Sequence, residues 1–133
     1  ILLVEDDVKL GKATSELLAY EGCTVDWAQD GAEAAAMVKE SLSASYDIVL
    51  LDWMLPEISG IELVRLFRGK GIDSVMMMLT AKDEEEDILE AFEAGVDDYI
   101  TKPFSGRHYF GDGKRRGRRL CARFGYGRRR FYG

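Results

Sequence analysis

The chain has 133 residues, enough for one domain with a core of its own and too few for several. Its hydrophobic content of 47% is that of a globular protein. No apolar run approaches the roughly 18 residues of a membrane span, and no basic segment precedes an apolar one as in a leader, so a cytoplasmic protein is expected.

The net charge of −6 conceals two unlike parts. Residues 1–105 hold 23 acids against 8 Lys/Arg, whereas residues 106–133 hold 1 acid against 10, so the two parts need separate accounts. The chain opens at Ile1 inside a predicted strand, and residues are expected to precede it. Cys23 and Cys121 match no metal or redox spacing and are expected as free thiols.

Ile1 to Val4 reads as a buried strand that runs into Glu5, Asp6 and Asp7. Apolar residues then recur at helical spacing from Val8 to about Glu21, with Leu10, Ala13 and Leu17 as the inward face and Val8 and Leu18 adding width. Asp7 suits the N-cap and Gly22 the stop. Cys23 to Ala28 alternates as a second strand, and an alanine-rich helix follows Gly31 to about Ser41. Ile48 to Leu51 is a continuous apolar run, the mark of a strand buried on both faces, and it ends at Asp52. A carboxylate in that position is seldom a packing residue, because burying it without a partner is costly.

Pro56 and Gly60 bracket a loop. Ile61, Val64 and Phe67 mark a third helix, which stops near Gly69 or Gly71. Val75 to Leu79 is a fourth buried strand ending at Thr80. Asp83 to Ala94 is a helix with Ile88, Ala91 and Phe92 inward and an acidic first turn that suits its dipole. Asp98 to Thr101 is a short fifth strand, followed by Lys102 and Pro103. Five strands alternating with helices and joined by short loops predict an α/β fold with a parallel sheet and helices on both faces.

Parallel strands bring their carboxyl ends to one edge, where open α/β sheets keep their reactive groups. Collected there are Glu5, Asp6, Asp52, Thr80 and, just beyond the last strand, Lys102. Each has a plainer reading when taken singly: Asp7 is best explained as a helix cap, a cap or turn could account for Asp6 or Asp52, Thr80 could cap a helix, and Lys102 could be a solvated surface lysine. Their joint placement favours one crevice. Clustered carboxylates repel unless a cation sits among them, and oxygen donors of this kind suit Mg²⁺ rather than a soft metal. A carboxylate beside Mg²⁺ can itself take a phosphoryl group, and Asp52 is the central one. Met76, Met77 and Met78 are packing residues. Glu84, Glu85, Glu86 and Asp87 are a solvated helix start or a partner surface.

The local text Val4-Glu5-Asp6-Asp7, Asp52-Trp53-Met54-Leu55-Pro56 with Gly60, Leu79-Thr80-Ala81, and Ala94 through Phe104 occurs in order. With these motifs, residues 1–105 resemble the receiver domain of bacterial two-component response regulators, closest to the winged-helix transcriptional regulators. The resemblance implies a flavodoxin-like sheet of order 2-1-3-4-5 and phosphorylation of Asp52 from the phosphohistidine of a sensor histidine kinase. It implies Mg²⁺ held by Glu5, Asp6, Asp52 and the backbone carbonyl of Met54. Lys102 then contacts the phosphoryl group, Thr80 and Tyr99 form the switch, and the bond before Pro103 is cis. Met54 and Lys82 match positions that tune self-dephosphorylation. Such a protein assists its own phosphotransfer and dephosphorylation rather than turning over a substrate. The alternatives are a phosphorylation-independent interaction module, a nonfunctional truncated regulator, a Mg²⁺-dependent phosphohydrolase, or a flavin carrier. The phosphohydrolase lacks its second acid near Asp52, and the flavin carrier lacks a phosphate-cradling loop after the first strand.

After Ser105 the resemblance predicts a leucine-rich fifth helix and then a DNA-binding domain. Neither is legible here. Seven of the residues in 106–133 are glycine, which opposes a helix. Residues 1–105 therefore read as the receiver and 106–133 as a basic Gly/Arg-rich tail. That tail is a reading-frame change, a basic arm for nucleic acid or a membrane surface, or a solvated tail or intramolecular partner of the acidic domain. DNA binding is not expected of this chain. The family homodimer, built on the fourth-helix and fifth-strand face, is expected to be weak. Its acids match Glu93 and Asp98, but Ile88 stands where one basic partner belongs. Without a fifth helix, Ile100 and its neighbours are expected to face water.

Overall fold

The computed structural model describes residues 1–40 and 46–101. The elements alternate as β1 (Leu2–Val4), α1 (Val8–Tyr20), β2 (Asp26–Ala28), α2 (Gly31–Glu40), β3 (Ile48–Leu51), α3 (Gly60–Gly69), β4 (Val75–Thr80), α4 (Glu85–Ala94) and β5 (Asp98–Thr101). All pairings are parallel, in the order β2-β1-β3-β4-β5. This is the flavodoxin-like α/β sheet expected, with four helices among the described residues. None of these helices is long and apolar enough to cross a membrane.

Alternation along the strands divides the core in two. Leu2, Val4, Val49, Leu51, Met76 and Met78 pack with Ala34 of α2, Ile61, Val64 and Phe67 of α3, and Ala91 of α4. Leu3, Leu50, Met77, Leu79 and Ile100 point the other way, onto a layer that includes Leu17 and Leu18 of α1. The central strands are buried on both sides, which is why β3 and β4 read as unbroken apolar runs rather than alternating ones.

Several expectations need correction. In α1 Leu18 is buried as expected, but its other buried residues are Gly11 and Thr14, while Val8 and Ala13 are exposed. The helix is turned because the Trp27 ring lies against Gly11, where a Cβ would run into the indole. In α4, Ala91 is fully buried and Phe92 is 44% exposed, since neighbouring helical positions lie about 100° apart. The second strand is three residues long rather than six. Ile100, expected to face water, is 5% exposed. Cys23, expected as a free thiol, is disulfide-bonded. Sequence separation gave no warning, because pairing depends on which cysteines the fold brings within bonding reach.

Two local devices fix elements at opposite edges of the sheet, the first at the carboxyl ends of the strands and the second at their amino ends. Asp7 caps α1 by accepting from Leu10 N at 3.0 Å, as expected. Arg68, near the end of α3, donates to Gly95 O at 3.0 Å, Ile72 O at 2.9 Å and Asp97 Oδ2 at 2.9 Å. Asp97 Oδ2 also accepts from Met76 N at 2.9 Å. One guanidinium thus ties α3 to the turn that delivers β5.

Candidate functional site

Strand register determines which acids meet. Val4 of β1 pairs with Leu51 of β3, so Glu5 and Asp52 are the next residues in step. The ladder continues past both strand ends: Asp52 N donates to Val4 O at 3.1 Å, and Glu5 N donates to Ala28 O at 3.0 Å. Asp6 follows Glu5 into the turn before α1. The carboxylates of Glu5, Asp6 and Asp52 offer oxygens that all lie within 4.8 Å of one another. Glu5 is 2% exposed and Asp52 6%, whereas Asp6 is open to solvent.

This donor set can be tested against the ion it implies. Three carboxylates so close repel one another unless a cation offsets their charge. All three are hard oxygen donors, and the group contains no histidine or cysteine that would favour zinc or copper. Two buried acids and one open to water also suit Mg²⁺, which retains waters and uses few carboxylates. The residues present fit Mg²⁺.

The neighbouring backbone holds Asp52 in place. Its Oδ1 accepts from Met54 N at 3.1 Å. Gly60 N donates to Trp53 O at 2.8 Å, which seats the start of α3 directly on this loop. A Cβ at Gly60 would run into the carbonyl oxygen of Asp52, so glycine is required by space rather than by torsion. Ser59 caps the helix by accepting from Glu62 N at 3.3 Å. Met54 is 61% exposed beside the acids.

Thr80 ends β4, one strand over, and is fully buried. Its Oγ1 accepts from Lys82 N at 3.4 Å and keeps its own proton to donate. Tyr99 is half-buried in β5, and its hydroxyl donates to Lys82 O at 2.6 Å. Burial, followed by the negative charges of Asp87, Asp83 and Asp52, pushes the Tyr99 phenol up to about 12. Thr80 and Tyr99 therefore meet on a single backbone residue, Lys82. Lys102 and Pro103 lie outside the described residues, as do residues 106–133.

Sequence reasoning missed one feature of the edge. Lys82 Nζ sits 4.8 Å from the Trp53 ring centroid and 3.6 Å from Asp87 Oδ1. The ammonium thus bridges the loop after β3 and the first turn of α4. In the sequence Asp87 reads as part of a solvated helix start or a partner surface, and nothing in its spacing singles it out.

Known proteins agree with this geometry. The model of the response regulator receiver domain matches residues 1–110. The chain is 43% identical over 104 residues to the response regulator RppA of Synechocystis, covering 78% of this chain and 44% of that protein. It is 44% identical over 107 residues to the transcriptional regulatory protein ResD of Bacillus subtilis, covering 80% of this chain and 43% of that one. The chain therefore spans less than half the length of these relatives. The structure of a Francisella response regulator receiver domain superposes with a TM-score of 0.76 at 29% identity, covering 97% of this chain and 95% of that one. The BeF3-activated DrrB receiver domain superposes at 0.71 with 30% identity, covering 97% and 96%.

Proposed function

The chain belongs to the response regulator receiver family, and from that premise we propose that Asp52 is its phospho-acceptor, loaded by a sensor histidine kinase. A carboxylate oxygen of Asp52 attacks the phosphorus of the donor phosphohistidine. The N–P bond breaks, its electron pair stays on the imidazole nitrogen, and an acyl phosphate remains on Asp52. The observation that carries the reading is the meeting of Glu5, Asp6 and Asp52 within 4.8 Å at the carboxyl edge of the sheet.

Each residue has an assigned part. Glu5, Asp6, Asp52 and the Met54 carbonyl hold Mg²⁺, which when bound offsets the negative charge gathered in phosphoryl transfer. Lys102 pairs with a phosphoryl oxygen, and the Thr80 hydroxyl donates to another. Residues 1–105 form the receiver and 106–133 a separate basic tail. As the output step, Thr80 and Tyr99 change partners together and shift the population of the α4–β5 face. The shared contact at Lys82 supports this coupling, because moving either side chain disturbs the segment that the other one binds. In longer relatives such a face would control an attached output, here transcription. DNA binding and any dimer through α4 and β5 are not assigned to this chain alone.

Incubation of the full chain with a small acyl phosphate donor and Mg²⁺ tests the proposal. One acid-stable, base-labile phosphoryl group should appear on Asp52, and it should be absent after chelation and in Asp52→Ala. Labelling that persists in Asp52→Ala, or none under any condition, would contradict it.

A further inference from the structure

A cavity of about 410 Å³ opens at the amino ends of β3 and β4, on the edge of the sheet opposite Asp52. The helices α2 and α3 both end beside it. Its apolar lining comes from Val38 of α2, Val49 of β3, Phe67 of α3 and Ile72 just beyond α3. Val49 is fully buried and Phe67 is 1% exposed, so the floor is part of the core. Lys39 and Lys70, at the ends of the two helices, belong to the lining too. The volume falls in the range of small-molecule sites, roughly 300–1,000 Å³, and an apolar wall with few polar groups is the usual make-up of such sites.

Charge singles this cavity out. Residues 1–105 hold 23 acids against 8 Lys/Arg, yet the lining holds two lysines and one acid, Asp73. Among the described residues neither lysine takes part in an ion pair, whereas Arg65, Arg68 and Lys82 all do. Nor is the Lys70 ammonium needed to finish α3. Leu66 O and Phe67 O accept from Lys70 N, Arg68 O accepts from Gly71 N, and Phe67 O accepts again from Ile72 N, so backbone donors satisfy the last turn. Two further polar side chains of the lining are engaged elsewhere. The Tyr46 hydroxyl donates to Asp26 Oδ2 at 2.7 Å, and the Ser74 hydroxyl donates to Tyr46 O at 2.5 Å.

We propose that this cavity binds a small organic monoanion. An apolar body of one or two fused rings sits on Val38, Val49, Phe67 and Ile72, and a single carboxylate pairs with Lys39 and Lys70. The two lysines and Asp73 leave the lining with one net positive charge, which matches one carboxylate rather than a phosphate dianion or a cation. Burial of the rings supplies the affinity, and the lysines select the sign of the charge. Binding here makes and breaks no covalent bond and uses none of the residues assigned to phosphoryl transfer.

Naphthalenecarboxylate is a suitable probe. Titrated into the full chain and followed by amide NMR, it should give saturable shifts at residues 35–39, 46–49 and 67–74, while residues 5–7 and 52–54 stay still. Naphthalenemethanol, the same ring system without the charge, should bind several-fold more weakly, a comparison that needs no variant. Lys39→Gln combined with Lys70→Gln changes two exposed side chains and should leave the dispersed spectrum of the folded chain intact. In that variant the carboxylate should bind several-fold more weakly than in the parent, and the alcohol as before. Shifts that do not saturate or that scatter over the surface would overturn the proposal. So would a carboxylate affinity unchanged in the double variant, or an alcohol that binds the parent as tightly as the acid.

Discussion

Tyr99 illustrates how much one side chain can report. Its neutral form is favoured in the fold, because burial and the acids Asp87, Asp83 and Asp52 all oppose the phenolate. The phenol therefore titrates at about 12 rather than the ordinary 10.0. The sign follows from linkage: the folded pKa is raised, so the stability Tyr99 contributes is complete below pH 10.0 and is lost as pH rises toward about 12. An absorbance titration of tyrosinate should show a late step that disappears in Tyr99→Phe, and that variant should lose less stability across the same window. The phosphate site has a similar single-residue test. Asp52→Asn keeps the shape and the bond from Met54 N but removes the charge, so it should fold normally and accept no phosphoryl group.

At the level of elements, the loop after β3 is fixed by contact between backbones. Gly60→Ala should displace either that loop or the start of α3, costing about 1–3 kcal/mol in chemical denaturation and slowing Asp52 phosphorylation. Arg68→Ala should cost about the same, since it leaves two carbonyls and Asp97 without their shared donor. These elements also show where sequence reading succeeds. The acids at 5, 6 and 52 are legible because apolar strands run straight into them, and a carboxylate at the end of a buried strand has no packing use. Thr80 and Tyr99 could be placed at strand positions, but their shared contact with Lys82 depends on backbone atoms that carry no residue signature. The face of α1 was misread because two of its buried positions are Gly11 and Thr14, which hydrophobic periodicity passes over. Phe92 was read inward on its apolarity, while the fold gives the buried position to the small Ala91.

For the whole molecule, one edge of the sheet carries the chemistry and the opposite layers carry the stability. The dimer through α4 and β5 that the resemblance implies, expected to be weak, has its own test at this scale. Glu93 is exposed as a pairing acid must be, but Ile88 offers no charge, and Asp98 Oδ1 accepts from Tyr99 N at 2.8 Å. Light scattering should show a monomer with and without beryllofluoride, and a phosphoryl-mimic-dependent dimer would show that pairing survives the loss of that basic partner. The account as a whole stands on three acids from two strand ends acting as one Mg²⁺ site beside the acceptor. Its most direct test is a Mg²⁺ titration of the full chain followed by amide NMR. Saturable shifts should centre on residues 5–7 and 52–54 and vanish in Asp6→Asn, while amides of the far strand ends stay still. Shifts scattered over the acidic surface, or undiminished in Asp6→Asn, would contradict it.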